Sequence, residues 1–565
     1  MTTLSVFSQN FNRTEQASDF FSGNQAPKRE IRAMWLTTIG GIDWPHSYAQ
    51  SASSIQKQKQ ELINILDKLQ KANINTVLLQ TRVRGTTIYP SSMEPWDGCL
   101  SGNPGKSPGY DALQFAIDEC HKRGMELHAW VVTIPVGKWN KLGCTSLRNK
   151  FPGLIMQIGE DGYMNPEDSR TGDYLAQICN EITSRYDIDG IHLDYIRYPE
   201  NKKIKVPLDQ GREYITSIVK KIHDAVKSQK PWVKLSCSPI GKYSDLPRHK
   251  SRGWNAYERV CQDAQAWLRD GLMDQLYPMM YFKGENFFPF ANDWAECTYG
   301  KMVAPGLGIY FLDPELGNWK VKDIITEMYH LRNLNTGHTY FRSKFFTDNH
   351  QGIYDFASNE FDKYPALVPA DTWSRREKTD TTYNIYASFD YPVDTRDARN
   401  LIGTRLPKSE VLKYLSGVQD RYVVLTYMDR YGVEIGSKEI ETAWNAMVAQ
   451  NKELARQDSI LRMEKKKKQM EIDRRVSFKE NVLMVKDKKL QVPPKRPGLD
   501  ADYIVVQNLL GNMCSMRRYT GESIYVGNLK EGIYELYSMD KMHIKHRLGI
   551  FIIEKKTFQK LSKAK

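Results

Sequence analysis

From Glu30 onward, short apolar runs alternate with longer segments whose apolar residues recur at helical spacing. This β-α-β-α order is typical of a parallel sheet, because a crossover between parallel strands is usually a helix. Eight strands with intervening helices predict a closed (β/α)8 barrel over residues 29–368. The predicted strands are Ile31–Thr37, Thr76–Thr81, Glu126–Thr133, Gly190–Tyr195, Val233–Ser238, Asp274–Tyr281, Val303–Leu312 and His338–Phe341.

An open, doubly wound sheet is the main alternative architecture. Such a sheet usually carries a glycine-rich phosphate-binding turn after its first strand. Gly40 and Gly41 follow the first predicted strand here, but they do not form a G-x-G-x-x-G pattern. The sequence therefore favours the closed barrel.

The pattern of the sequence changes after the barrel. Residues 369–446 contain strand-like runs at Tyr383–Phe389 and Tyr422–Met428, which predict a small β-sandwich. Residues 447–497 are charged, helical in pattern and end in a proline-rich boundary, and residues 498–565 hold four more strand-like runs. The predicted fold class is α/β: a barrel followed by two small β-sandwich-like modules that a charged helical linker joins.

Charge and cysteine usage restrict the possible partners. Residues 452–496 hold 15 Lys/Arg and 7 Asp/Glu, so about eight of the 13 net positive charges lie in this stretch. A nucleic-acid partner for the barrel loses its support, and the stretch is interpreted as a solvated helix or linker. The eight cysteines are scattered without metal-type spacing, so we predict neither a metal site nor a cofactor.

Export is expected from the N-terminal residues. The chain lacks any run of 18 apolar residues, so we predict no integral membrane segment. Residues 1–28 are polar and are interpreted as a leader, and residues 1–9 look like the tail of an export signal. We therefore expect a periplasmic or cell-surface protein.

The fourth predicted strand carries the firmest candidate for chemistry. Its alternation places His192 and Asp194 on one face, with Asp194 at the mouth of the barrel, where such enzymes have their active sites. A buried carboxyl there is expected to have a perturbed pKa. Arg197 is the expected charge partner that keeps Asp194 ionised. A purely structural pair of Asp194 and Arg197 is the alternative.

The loop after the second strand is basic, aromatic and acidic, with Arg82, Tyr89, Glu94 and Trp96. Such a loop suits a polar ligand with flat faces. Glu94 beside Trp96 could be a general acid whose pKa an apolar neighbour raises. Equally, Glu94 could hold Arg82 or Arg84 in place, and the sequence leaves both interpretations open.

Other strands also end in residues suited to a sugar. Trp35 could stack on a ring or pack in the core, and His128 could donate to a hydroxyl, orient Asp194 or be a core histidine. Tyr277 and Tyr281 bring phenols to the mouth, and Arg342 brings a cation. Glycosidases of the common type use two carboxyls. Glu94 leads the candidates for the second carboxyl, and those that follow are Asp43, Asp274 and Glu285.

Six ordered blocks of the sequence resemble the glycosyl-hydrolase-like family 10 of bacteria. They are Ile31–Thr38 with Asp43–Pro45, Asn75–Gly85, Tyr89–Trp96, Pro108–Leu113, His121–Trp130 and Asp189–Pro199. The resemblance implies a (β/α)8 cell-envelope glycosidase that cleaves peptide-free glycan strands of peptidoglycan. It implies that Asp194 and Glu94 are active-site carboxylates. Thr86, Thr87 and Tyr195 depart from the family pattern.

The resemblance and the strand pattern together give one set of predicted site residues. The catalytic pair is Asp194 and Glu94, and no metal ligand is predicted. The predicted substrate-binding residues are Trp35, Arg82, Tyr89, Trp96, His128, Trp130, His192, Tyr195, Arg197, Tyr277, Tyr281 and Arg342. The two β-modules resemble the fibronectin-type and immunoglobulin-like appendages of exported proteins in the Bacteroides group.

Three other functions compete with cleavage of peptidoglycan strands. The barrel could hydrolyse or transglycosylate another polysaccharide. It could instead be a scaffold that binds glycan without cleaving it, if it has lost its second acid. Nucleic-acid binding by the Lys-rich stretch is the most distant alternative.

Overall fold

The structure is a computed structural model that describes residues 26–390, 392–416, 418, 421–436, 442–476, 481–495, 498 and 501–554. Most of the predicted leader, residues 1–25, lies outside these ranges. The chain divides into two compact units, Met1–Val448 and Ala449–Lys565. Among the described residues, none of the helices has both the length and the apolar character needed to cross a membrane.

One curled parallel sheet organises the first unit. Its order is β7-β6-β5-β4-β3-β2-β1-β9-β8. The strands are β1 (Arg32–Leu36), β2 (Thr76–Arg82), β3 (Glu126–Val132), β4 (Gly190–Asp194), β5 (Lys234–Cys237), β6 (Gln275–Leu276), β7 (Met302–Val303), β8 (Gly306–Leu307) and β9 (His338–Tyr340).

The two end strands of this sheet are halves of one chain segment. Only Ala304 and Pro305 separate β7 from β8, and the Ala304 N–H donates to Leu276 O at 2.9 Å while Pro305 O accepts from Thr339 N at 3.0 Å. The ends of the sheet therefore meet, as the predicted barrel requires. Two predicted strands, Asp274–Tyr281 and Val303–Leu312, are too long. Pro278 and Pro305 lack the N–H that a continuous ladder needs.

Helices cover the outside of the sheet, and side-chain caps fix where several of them begin. Ser51, Asp111 and Asp168 each accept a backbone N–H in the first turn of the helix that follows. The longer helices are α1 (Ala52–Lys71), α2 (Ala112–Lys122), α3 (Ser169–Arg185), α4 (Leu208–Gln229), α5 (Ala264–Arg269), α6 (Phe288–Glu296) and α7 (Val321–Asn333). Shorter helices and turns lie at Ile39–Gly41, Gly98–Ser101, Leu142–Lys150, Ala256–Arg259, Gly284–Asn286, Ile309–Leu312, Ser343–Thr347, His350–Gly352, Ile353–Phe356 and Ala357–Phe361.

Strand alternation separates two apolar clusters, as predicted for β4. Ile191 and Leu193 belong to the large cluster between sheet and helices. His192 instead lies inside the barrel with Trp35 and Tyr277. A small antiparallel sheet also follows β3, with strands Pro135–Lys138, Ile155–Ile158 and Asp161–Met164.

The first β-module is a single sheet, whereas the sequence predicted a two-sheet sandwich. Four strands carry it: β10 (Thr381–Ser388), β11 (Leu401–Leu406), β12 (Tyr422–Asp429) and β13 (Glu434–Ile435). The helix Lys408–Leu415 covers one face. On the other face, Arg405 pairs with Glu126 and Asp189 at the N-terminal ends of the barrel strands. The barrel thus takes the place of the second sheet.

The second unit, described by itself, has two sheets around one apolar core that includes Leu490, Ile504, Leu536 and Phe551. Helix Thr442–Val476 covers most of the predicted charged helical segment. One sheet has strands Val485–Lys486, Lys489–Leu490 and Ile524–Tyr525, and the other has Tyr503–Asn508, Met513–Arg518, Gly532–Met539 and Lys545–Ile553.

Candidate active site

Asp194 ends β4 at the C-terminal mouth of the barrel, and its carboxyl is held by three donors. Oδ1 accepts from Ser238 Oγ at 2.9 Å and from the Tyr195 N–H at 2.8 Å. Oδ2 accepts from Trp130 Nε1 at 3.2 Å. Each donor comes from a barrel strand or its immediate end, so the carboxyl has a fixed orientation. Oδ2 keeps a lone pair that can carry a proton.

Burial raises the pKa of Asp194, and the more distant Arg197 only partly opposes this. The predicted ion pair of Asp194 with Arg197 is wrong, because Arg197 Nη2 binds Glu200 instead. The guanidinium lies over the Tyr195 ring, 4.1 Å from its centroid. A carboxyl that burial keeps protonated is suited to donate a proton.

Beneath Asp194, four predicted site residues form one layer of rings. Trp35 Nε1 donates to His192 Nε2 at 3.1 Å, and His192 Nδ1 lies 3.0 Å from Ser236 Oγ. Trp130 and Tyr277 make edge contacts with the same imidazole. Burial holds the pKa of His192 well below its usual value, so the ring is neutral. These rings form the floor of the site, and sugar contact falls to residues above them.

Glu94 lies in the barrel wall and faces Arg82. Its Oε1 and Oε2 accept from Arg82 Nε at 2.9 Å each, and Oε1 also accepts from Tyr174 OH at 3.0 Å. Both side chains of the ion pair are fully buried. Arg82 also donates to the carbonyls of Val132 and Thr133. Of the two interpretations that the sequence left open, this geometry favours the one in which Glu94 holds Arg82.

Other predicted site residues lie away from Asp194. Tyr89 is fully buried and donates to Glu181 Oε2 at 2.9 Å on α3. His128 is buried lower in the barrel, 3.0 Å from Glu126 Oε2. Trp96 packs against the outer core. These placements give the three residues structural contacts.

The remaining carboxyls considered for the second position differ in their surroundings. Asp43 accepts from Thr37, Arg342 and Lys344, so Arg342 lies at the rim as the partner of Asp43. Asp274 binds Trp373 and the Leu235 N–H at the opposite end of the barrel. Both are committed to structural bonds. Glu285 is exposed in the turn Gly284–Asn286 after β6.

The sequence reasoning missed Ser238 and Glu200. Ser238 had a signal, because Lys234, Ser236 and Ser238 are polar at every second position of a strand. Glu200 follows Asp194 by six residues, and its side chain is 42% exposed. Its signal is weak, since a glutamate in a loop is usually only solvated.

A row of half-buried rings was also missed at the ends of β6, β8 and β9. Tyr281 lies 5.6 Å from Tyr310, Tyr310 lies 4.0 Å from Phe311, and Phe311 stacks on Trp319 at 4.6 Å (ring centroids). Phe341 closes the row, 5.2 Å from Tyr281. Flat rings of this kind suit the apolar faces of sugars. No spacing rule in the sequence brings Tyr281 and Trp319 together.

A buried group of Glu30, His338 and Asp362 has ligand atoms close enough to hold a metal ion. Arg32 lies 2.8 Å from Glu30 and 3.1 Å from Asp362, and Arg332 bonds both carboxylates. Two guanidiniums thus already supply the positive charge that a metal would bring. The group is an ion network at the N-terminal end of the barrel.

Comparison with protein families gives a match over the barrel. Residues 30–210 and 199–310 match the family described as glycosyl hydrolase-like 10. Glycosyl hydrolase YngK of Bacillus subtilis (strain 168) is 29% identical over 389 residues, covering 62% of this chain and 76% of that protein. Glycosyl hydrolase DigH of Escherichia coli (strain K12) is 28% identical over 326 residues, covering 51% of this chain and 74% of that protein.

Solved structures similar to the chain have TM-scores below 0.5, and no inference is drawn from them. An endo-1,4-beta-mannanase from Rhizomucor miehei has a TM-score of 0.41 and 9% identity, covering 60% of this chain and 99% of that one. Alpha-L-fucosidase isoenzyme 2 from Paenibacillus thiaminolyticus has a TM-score of 0.39 and 14% identity, covering 59% and 49%. The sequence matches carry the assignment: through its barrel residues 30–310, the chain belongs to the glycosyl hydrolase-like 10 family and is a glycosidase.

Proposed function

We propose that this glycosidase hydrolyses bacterial cell-envelope glycan, with peptide-free strands of peptidoglycan as its substrate and Asp194 as the proton donor. The observation that carries the proposal is the buried, triply hydrogen-bonded Asp194 at the mouth of the barrel, whose pKa burial raises. Such a carboxyl is protonated before reaction and can protonate the leaving glycosidic oxygen. The family match over residues 30–310 supports the same chemistry.

We propose Glu200, in place of Glu94, as the second carboxyl. Arg197 binds Glu200 and keeps it ionised, and both Asp194 and Glu200 act on the phenol of Tyr195. Glu200 therefore shares the opening with Asp194, whereas Glu94 is enclosed with Arg82. An ionised carboxylate can activate a water or stabilise the positively charged transition state.

The fold and location follow from this proposal. The (β/α)8 barrel supplies the site, and the flanking modules act as appendages that hold the enzyme in the periplasm or at the cell surface, where the substrate lies. The row of rings from Tyr281 to Trp319 is proposed to carry further sugars of the strand.

The test is release of reducing ends from peptidoglycan strands stripped of peptide by an amidase. We expect turnover by the wild-type protein, and a loss of about 10²-fold or more for Glu200→Gln, the usual contribution of one acid–base group. Glu285→Gln is the matched control, because Glu285 is also an exposed acid in a loop at the mouth. Cleavage of a neutral plant glucan or mannan in place of these strands would redirect the substrate assignment. Binding of the strands without cleavage would favour the scaffold alternative.

A further inference from the structure

Arg84 is an exposed cation at the mouth of the barrel, two residues beyond the end of β2. Its guanidinium makes no hydrogen bond or ion pair with any residue that the structure describes. It is close enough to act electrostatically on the phenol of Tyr195, whose backbone N–H binds Asp194. An unpaired guanidinium thus stands beside the proposed proton donor.

The turn that presents Arg84 is tightly held. Arg84 and Gly85 both have a φ of 78°, and the Val83 N–H donates to Thr86 O at 2.8 Å across the turn. A left-handed backbone costs a residue other than glycine roughly 1 kcal/mol, so the surrounding structure must enforce it. Gly143 does this by packing so close that a Cβ there would lie 2.7 Å from Arg84 O. The side chain therefore leaves from a fixed point.

The other charges nearby are already balanced, which leaves Arg84 unmatched. Arg197 is paired with Glu200, and burial keeps Asp194 protonated. On the neighbouring antiparallel sheet, Lys138 engages both Glu160 at 3.4 Å and Asp161 at 3.2 Å. The opening beside Tyr195 therefore has one positive charge in excess.

We propose that Arg84 binds a free carboxylate on a sugar ring next to the bond that is cleaved, so that the enzyme selects acidic glycan strands. Guanidinium and carboxylate form a two-pronged, charge-assisted pair. In envelope glycan the carboxylate is the lactyl group of muramic acid, and in other polysaccharides it belongs to a uronic acid. When a stem peptide is attached, the lactyl carboxylate is an amide and carries no charge. This inference rests on the proposed function and gives a physical reason for a peptide-free substrate.

The test compares three glycan probes with the full-length protein. They are peptide-free peptidoglycan strands, the same strands with their carboxyls converted to methylamides, and oligogalacturonate. We expect kcat/KM on the free strands to exceed that on the methylamides by about 10-fold or more, as one charge-assisted hydrogen bond provides. Cleavage of the free strands alone identifies the lactyl group, and cleavage of oligogalacturonate identifies a uronic acid.

Variants separate Arg84 from general electrostatic attraction. Arg84→Ala is expected to bring the ratio of free strand to methylamide near one, mainly through KM, and Arg84→Lys to retain part of it. Lys344→Ala is the matched control, because it removes one cation from the same rim, near β9, and should leave the ratio unchanged. Binding to the Asp194→Asn protein, measured by calorimetry, gives the same comparison without turnover.

The outcomes distinguish this inference from the function on which it rests. Equal cleavage of free and amidated strands by the wild type, or an equal loss on both in Arg84→Ala, overturns carboxylate selection and leaves the glycosidase proposal standing. If none of the probes is cleaved, the proposed substrate fails. Calorimetry then still decides whether Arg84 binds a carboxylate.

Discussion

The two ends of the barrel both bury carboxyl groups, and they treat them in opposite ways. At the N-terminal end, Lys234 and Arg405 pair with Glu126, and its pKa falls to about 2 despite burial. Arg405 and His121 do the same for Asp189, whose pKa lies well below its usual value. At the mouth, Asp194 has neutral donors and a distant cation, and burial raises its pKa.

The difference shows that a cation at ion-pair distance, more than burial itself, decides what a buried carboxyl does. A paired carboxylate stays ionised and links the elements that supply its partners, which is a structural role. An unpaired one is held near the point of protonation, which is a chemical role. Barrel enzymes place their chemistry at the C-terminal ends of the strands, and the two ends here conform to that rule.

The largest effect is expected at the mouth, for Asp194→Asn. The amide keeps the shape but cannot donate the proton, so turnover should fall by about 10³-fold, within the range for one general acid. The melting temperature should stay the same or rise, because a buried acid has been removed. Reducing-end release and thermal unfolding of the same preparation measure both. Unchanged turnover would remove Asp194 from the mechanism.

At the opposite end, Arg405→Ala should act on stability and leave the chemistry alone. The change leaves Glu126 and Asp189 short of a buried cation, which costs about 3–5 kcal/mol. Urea unfolding measures this loss, and kcat/KM of the protein that remains folded should match the wild type. Arg399→Ala is the control, since Arg399 pairs with Asp397 in a half-exposed position. A loss of turnover without a loss of stability would contradict the division of roles.

Glu94→Gln tests the residue on which the sequence and the structure disagree most. If Glu94 holds Arg82, the change weakens a buried, charge-assisted contact and costs about 2–3 kcal/mol. Turnover at a temperature where the protein is folded should then change less than threefold. A loss of turnover comparable to that of Asp194→Asn would restore Glu94 as the second catalytic carboxyl.

The sequence predicted the barrel and Asp194 because both depend on local order. Strand alternation alone places His192 and Asp194 inward, and their positions along β4 follow from it. The role of Asp189 was underestimated, since its partner Arg405 lies 216 residues further along the chain. The same limit applies to Glu94, Tyr310 and Trp319, because contacts with distant side chains decide whether such residues face the wall or the opening.

The smallest expected effect is in the pH dependence, where the two ends should move in opposite directions. Glu126 has a folded-state pKa of about 2, below the ordinary 4.5, so it contributes stability above pH 4.5 that is lost as the pH falls toward 2. Its share of the loss between pH 6 and pH 3.5 is about 1.4 kcal/mol. Asp189 and Asp362 act in the same direction, so the difference in slope between wild type and Glu126→Gln isolates Glu126. Asp194 must be protonated to act, so turnover should instead be lost as the pH rises through its raised pKa, where the lower end is fully ionised and stable. Chemical unfolding and kcat/KM across the same buffers check both, and a shared acid limb for stability and turnover would contradict the separation of the two ends.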